Sequence, residues 1–342
     1  MNTRLTCDIF CAVIDNLGDA GVCWRLARQL AVEQAWAVRL FIDDPAPVDL
    51  LAPGQHAVEV RRWEGDLAGV AAADVVIEAF ACELPPAYVA AMRARPRPPV
   101  WLNLEYLSAE DWVAGCHGLP SPQAGLQKYF FFPGFAPGTG GLLREHDFTV
   151  PPAPTFSELL EVSLFCYTNP ALPGLLAAWR DGAENVVCHV AEGLPRAQVA
   201  AWLGAPFAPG TKAERGRLTL VALPFLPQTE YDRLLGRCQL NFVRGEDSFV
   251  RAQWAERPFV WQAYPQAEEA HFAKLAAFLA LYAPGPAAQD FFAAWNGRGT
   301  PDWPALRAAL PALAARAPAW ARRIAAHGDL AANLLKFCAV RL

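Results

Sequence analysis

The chain has 342 residues, of which 54% are hydrophobic and 18% charged, with a formal net charge of −5. That length exceeds one ordinary core and suits two lobes, and the apolar content excludes a disordered chain. The acidic balance gives no support for a nucleic-acid partner, which would need a basic face.

The run Met1 to Asp8 contains no long apolar stretch, so no signal peptide is expected. Ile9–Ile14 reads as a strand and is followed by the loop Asp15-Asn16-Leu17-Gly18-Asp19-Ala20-Gly21. Val22, Leu26 and Leu30 then recur at helical spacing. Further strands are expected at Val38–Ile42, Val58–Arg61, Val75–Ala79 and Val100–Leu104, with a helix over Pro85–Met92 that carries proline in its first turn. Pro151, Pro152 and Pro154 crowd together near Asp147–Pro154, as in an interdomain hinge.

A second alternating series follows. Strands are expected at Val162–Tyr167, Val186–Val190, Leu218–Leu223, Leu240–Val243 and Phe259–Gln262. Helices are expected at Ala171–Arg180, Arg196–Leu203, Thr229–Leu235, Ser248–Ala255 and Glu268–Tyr282. From Pro301 onward the chain is Ala-rich and helical, with Trp303, Leu306, Leu310 and Leu313 as a buried stripe. Two successive βα series predict two parallel-sheet, Rossmann-like lobes, with ligands collecting at the carboxyl ends of strands in the cleft between them. The expected division is residues 1–152, residues 153–324, and a final helix of about 325–342 that packs back on the first lobe.

Nine scattered cysteines without a CxxC pair read as buried thiols in a reducing compartment. The longest greasy segment, Leu275 to Tyr282, is too short to span a bilayer, and the chain is expected to be cytoplasmic, with no membrane partner. None of the six histidines pairs with a cysteine at zinc spacing, so no metal site is expected. His271, near Tyr264 and Gln266, suits either the cleft or a satisfied buried position, and Gly138-Thr139-Gly140-Gly141 either binds an anion or simply turns.

Two loops concentrate the chemistry. Gly18 and Gly21 allow the first loop a tight turn and a close ligand approach. Asp15 and Asp19 lie four positions apart at the mouth of the first helix. If they face one small volume, repulsion should raise the pKa of one, and a charged carboxylate beside a nucleophile is what a general base requires. The structural alternative is that Asp19 caps the helix and Asp15 closes an Asx-turn. In the second half, Arg244-Gly245-Glu246-Asp247-Ser248 has the same strand–loop–helix build. Ser248 suits an N-cap, and Arg244 offers a fork of donors matched to phosphate oxygens. Upstream, Phe225, Gln228 and Tyr231 straddle a strand-to-helix junction, while Phe165 and Tyr167 alternate at the end of an earlier strand. Aromatic faces with an amide suit a stacked base read at its edge. A Walker A pattern and a complete GxGxxG are both missing.

With these blocks laid out, the chain resembles the EarP family, the protein-arginine rhamnosyltransferases that modify elongation factor P. The matching runs include Asp8 through Asp19, Trp24 through Leu30, Trp101-Leu102-Asn103-Leu104-Glu105-Tyr106-Leu107, Phe131-Phe132-Pro133-Gly134-Phe135, Ser163 through Tyr167, Arg244 through Trp254, and Trp261-Gln262 with Tyr264-Pro265-Gln266. The resemblance implies an α/β, GT-B fold, dTDP-β-L-rhamnose as donor, elongation factor P as acceptor, and inversion to an α-linked rhamnosyl-arginine with neither metal nor cofactor. On this likeness Asp19 is the leading candidate base, with Asp15 and Glu246 orienting acceptor and sugar. Phe165, Tyr167, Phe225, Gln228 and Tyr231 would surround the thymidine, and Tyr231 stands where relatives are expected to carry Phe. Arg244, Asp247 and Ser248 would hold the diphosphate and neighbouring groups, and Asn16 and Gly18 would also touch the donor. The competing expectations are a GT-B sugar-nucleotide hydrolase or epimerase, and a non-catalytic module that docks on a translation factor.

Overall fold

A computed structural model describes residues 4–14, 17–54, 57–150, 152, 159–266 and 269–342. The chain forms two compact units, Met1–Phe148 with Ile324–Leu342, and Thr149–Arg323. Three residues of the expected hinge, Pro151, Ala153 and Pro154, fall outside the described residues.

Unit 1 contains β1 (Thr6–Cys11), α1 (Leu17–Glu33), β2 (Ala37–Ile42), α2 (Ala46–Leu51), β3 (Glu59–Arg62), β4 (Val75–Ala79), α3 (Pro86–Ala94), β5 (Val100–Leu104), α4 (Trp112–Cys116), β6 (Pro120–Gln123) and β7 (Leu126–Phe131). Its sheet has the order β3-β2-β1-β4-β5-β7-β6, parallel except for the β6–β7 hairpin. Central strands are buried on both faces, which is why β4 and β5 are apolar but for Glu78 and Asn103. Asp8 of β1 is fully buried and accepts from Nε and Nη2 of Arg39 on β2, each at 2.6 Å, and from the Tyr88 hydroxyl of α3. A buried carboxylate survives only with such partners, and these tie one helix and two strands into a single register.

Unit 2 contains β8 (Leu159–Leu164), α5 (Leu172–Asp181), β9 (Asn185–Val190), α6 (Leu194–Leu203), β10 (Lys212–Arg215), β11 (Leu218–Ala222), α7 (Gln228–Arg237), β12 (Leu240–Arg244), α8 (Asp247–Trp254), β13 (Phe259–Gln262), α9 (Ala270–Tyr282), α10 (Pro286–Trp295) and most of α11 (Trp303–Ala325). The sheet order is β10-β11-β9-β8-β12-β13, parallel except for β10. Trp303, Leu306, Leu310 and Leu313 are buried, as their helical spacing predicts.

After α11 the chain returns to unit 1 as α12 (Leu330–Ala339), whose N-cap Asp329 accepts from the Ala332 amide at 2.9 Å. Leu330 N–H donates to Leu142 O at 3.0 Å, and Asn333 Nδ2 to Gly140 O at 3.2 Å. Gly141, at φ 74°, lies so close to the Gly328 carbonyl that an added Cβ would collide with it. The glycine run at 138–141 therefore permits a close backbone approach between two segments of one unit.

Several expectations shift. The first strand is Thr6–Cys11 and not Ile9–Ile14, and Ile14 is 69% exposed. The strand expected at Val162–Tyr167 ends at Leu164, so Phe165 and Tyr167 stand beyond it; Phe165 N–H still donates to Phe242 O at 3.0 Å. The helix expected from Glu268 begins at Ala270, with Glu268 itself outside the described residues. The β6–β7 hairpin, β10, α2 and α10 are additional elements. All nine cysteines are free, and burial pushes the Cys82 and Cys166 thiols up to about 12. No helix among the described residues is long and apolar enough to cross a membrane.

Candidate functional site

In unit 1, β1, β4 and β5 are neighbours, so the segments leaving their carboxyl ends converge. Asp19 sits in the first turn of α1 and is only 3% exposed. Its Oδ2 accepts the Ile14 amide at 3.0 Å, and its Oδ1 accepts the Tyr106 hydroxyl at 3.4 Å. Gly18 precedes it in the same turn and is half-buried. Asp15 and Asn16, and with them the expected repulsion between two aspartates, lie outside the described residues. Tyr106 stacks on Phe80, with centroids 4.3 Å apart and planes 12° apart. Asn103 Nδ2 donates to Glu105 Oε1 at 2.6 Å. Reasoning from residue types had assigned no role to Phe80, Asn103, Glu105 or Tyr106; the last three were visible only as part of one matching run.

In unit 2, β8, β12 and β13 are adjacent, and their carboxyl ends bring most of the second group together. The Arg244 guanidinium lies 4.4 Å from the ring centroid of Phe165 and 4.4 Å from that of Tyr167. Each contact contributes on the order of 1 kcal/mol at a partly buried site. Phe165 meets Tyr231 edge-on at 5.8 Å, and Tyr167 meets Tyr264 edge-on at 5.4 Å. Gln262 Oε1 accepts the Tyr167 amide at 2.9 Å, which fixes the loop after β8. Residue type alone gives no role to Gln262 or Tyr264; their contacts with Tyr167 supply one.

The turn into α8 depends on Gly245, at φ 61°, whose carbonyl accepts the Trp261 indole N–H at 2.8 Å. Trp261 stacks on Phe249 at 4.0 Å. Ser248 is not the N-cap; α8 begins at Asp247, with Glu246 at the cap position. One residue inside the helix, Ser248 Oγ turns back to donate to Arg244 O at 2.6 Å and accepts Arg244 N–H at 3.0 Å. Its hydroxyl thereby sets the backbone that carries the guanidinium. Gln228 Nε2 donates to Asp247 Oδ2 at 3.4 Å, linking the start of α7 to that of α8. Behind them, buried Arg251 grips Asp232 through Nε and Nη2, at 3.0 and 2.8 Å. Phe225 is half-buried in the connection that leads into α7. Burial of the Tyr231 phenol, next to Asp247 and Asp232, holds its pKa far above the ordinary tyrosine value.

Elsewhere the fold gathers Glu161, His189 and Cys238, whose potential ligand atoms lie within 4.8 Å of one another. Arg237 stands among them, 3.4 Å from both Glu161 Oε2 and His189 Nε2, and burial pushes the Cys238 thiol up to about 12. A fixed cation and a protonated thiol suit a divalent ion poorly. His271 Nδ1 accepts the Gln266 amide at 3.3 Å and so closes a local turn.

The model of the family described as "Elongation-Factor P (EF-P) rhamnosyltransferase EarP" matches residues 7–339. A protein-arginine rhamnosyltransferase of Pseudomonas aeruginosa is 49% identical over 369 aligned positions, covering 97% of this chain and 98% of that protein. A solved structure described as the structural basis for EarP-mediated arginine glycosylation of translation elongation factor EF-P is 35% identical, with TM-score 0.69 over 99% of this chain and 100% of the other. A calicheamicin glycosyltransferase, 14% identical with TM-score 0.53, covers 99% of this chain and 98% of its own, and shares the GT-B fold alone.

Proposed function

The chain belongs to the EarP family and is a GT-B protein-arginine rhamnosyltransferase; from that premise we propose that it moves L-rhamnose from dTDP-β-L-rhamnose to an arginine of elongation factor P in the cytoplasm. Unit 2 would hold the donor. Phe165, Tyr167, Phe225, Gln228 and Tyr231 supply ring faces and an amide for thymidine, and Arg244, Asp247 and Ser248 serve the diphosphate and its surroundings. In unit 1, Asn16 and Gly18 would contact the donor, while Asp15 and Asp19 serve the acceptor.

A guanidinium is a poor nucleophile because its lone pairs are delocalised and its pKa exceeds 12. Carboxylates orient it and take up its proton as the bond forms. In the proposed step an arginine Nη attacks C1 of the rhamnose from the face opposite the diphosphate. The N–C1 bond forms as the C1–O bond to dTDP breaks, the β-donor becomes an α-product, and one Nη proton passes to Asp19. The substituted arginine stays monocationic. Asp15 and Glu246 orient the acceptor and the sugar. Arg244 and backbone amides offset the charge on the departing diphosphate, so neither a metal nor a cofactor is invoked.

The observation that carries this reading is Asp19: a nearly buried carboxylate in the first turn of α1 that accepts from an amide at one oxygen and, at 3.4 Å, from a phenol at the other. Intact-mass analysis of elongation factor P, mixed with this protein and dTDP-rhamnose, tests it. One added deoxyhexose on an arginine is expected. An unmodified acceptor beside hydrolysed donor would refute the transfer.

A further inference from the structure

Phe80 and Ala81, two consecutive non-glycine residues at the carboxyl tip of β4, both stand at φ 57°. In that left-handed region Cβ crowds the backbone, so a non-glycine residue there is strained. Surrounding groups hold the turn in place. Phe80 N–H donates to Leu104 O at 2.7 Å, Ala81 N–H to Asn103 Oδ1 at 3.1 Å, and the Cys82 thiol to Phe10 O at 3.2 Å. Asn103 is buried and is itself braced against Glu105.

The strained turn places one ring. Phe80 lies flat against Tyr106, and the hydroxyl of Tyr106 reaches Asp19. The left-handed backbone thus sets where the Phe80 ring stands against Tyr106. We propose that Phe80 is a positioning residue for the transfer reaction: its turn, locked by Asn103, fixes the plane of Tyr106, and Tyr106 in turn aims the carboxylate of Asp19. The inference rests on the reading of Asp19 as the base. Contacts at both oxygens set the plane of the carboxylate, and that orientation decides whether an incoming N–H is met in line.

The test is a double-mutant cycle on steady-state rhamnosylation of elongation factor P, with donor KM and kcat measured separately. Phe80→Gly removes the ring and the strain together, and kcat is expected to fall about tenfold with donor KM changed less than about twofold. Tyr106→Phe is expected to lose a similar factor. Because Phe80 acts through that hydroxyl, the double variant should be no more than about twofold slower than Tyr106→Phe alone. Phe80→Tyr, which restores an aromatic face, is expected to recover most of the loss. Should Phe80→Gly fail to fold, Phe80→Leu keeps apolar bulk without the ring and carries the same comparison. Full kcat in the ring-less variant, or losses that multiply in the double variant, would overturn the inference. Asp19→Asn separates the two levels. If it turns over at the wild-type rate, the base assignment fails and takes this inference with it; if it is inactive while Phe80→Gly is unimpaired, only the positioning role fails.

Discussion

The two units solve the same problem, a charged group at the carboxyl edge of a parallel sheet, with different materials. In unit 1 the charge is an anion held by directional bonds from an amide and a phenol, behind which stands a strained turn. In unit 2 it is a cation held by ring faces, with a serine fixing its backbone. Hydrogen bonds lock a direction, whereas cation–π contacts let a planar guanidinium slide and tilt. Under the proposed roles, a base that must meet one proton would gain from the first arrangement, and a clamp that must receive and release a diphosphate would gain from the second.

The sharpest way to break the comparison is Asp19→Asn. The side chain keeps its size and still accepts from the Ile14 amide, but it takes up no proton. Rhamnosylation should fall about a thousandfold with donor binding retained, as read by single-turnover mass analysis and by calorimetry with dTDP-rhamnose. Full activity would remove the directional argument.

Next in size is acid sensitivity. One histidine in each unit, half-buried His117 and buried His189, has its pKa lowered by loss of solvent. His117 in unit 1 has its Nδ1 satisfied by the Phe132 amide at 3.0 Å. His189 in unit 2 is pushed down to about 4 by burial first and then by Arg237 and Lys212, and its Nδ1 is buried without a hydrogen-bond partner among the described residues. The folded pKa lies below the unfolded one, so its contribution is present above about pH 6.5 and is lost as pH falls toward 4. By linkage the loss amounts to about 3 kcal/mol. Thermal melts between pH 7 and 4 should show a steeper fall for the wild type than for His189→Leu. Parallel curves would assign the acid sensitivity elsewhere.

The smallest effect sharpens the account of unit 2. Arg244→Lys keeps the charge but loses the planar fork and the ring stacking. It should raise donor KM by about thirtyfold and lower kcat less, because an ammonium replaces the forked contact only as a point charge. An unchanged KM would show that the aromatic slot binds donor without the guanidinium.

Much of this was legible beforehand. β4, β5 and β13 coincide with the expected strands to the residue, because strands buried on both faces are short, mainly apolar and rich in β-branched or aromatic residues. β6 escaped notice because Pro120 and Pro122 demote a strand, and here they sit on a sheet edge, where a missing N–H is harmless. Residue type singled out Arg244, Phe165 and Tyr167, and the fold brings the three together, with the guanidinium over both rings. The Ser248 contact was not, because an N-cap and a serine one place inside the helix differ only in which way Oγ turns. Phe80 was invisible for a deeper reason. Left-handed backbone at a non-glycine is a tertiary outcome, imposed by Asn103 and Leu104 from the neighbouring strand, and no local pattern announces it.

The return of α12 to unit 1 has a consequence for biosynthesis. Unit 1 lacks the segment that packs on Gly140 to Leu142 until everything up to Ile324 has been translated, whereas unit 2 is wholly made by then. The unit begun first thus depends on residues made after all of the other unit, which departs from a simple N-terminal-first order of domain completion.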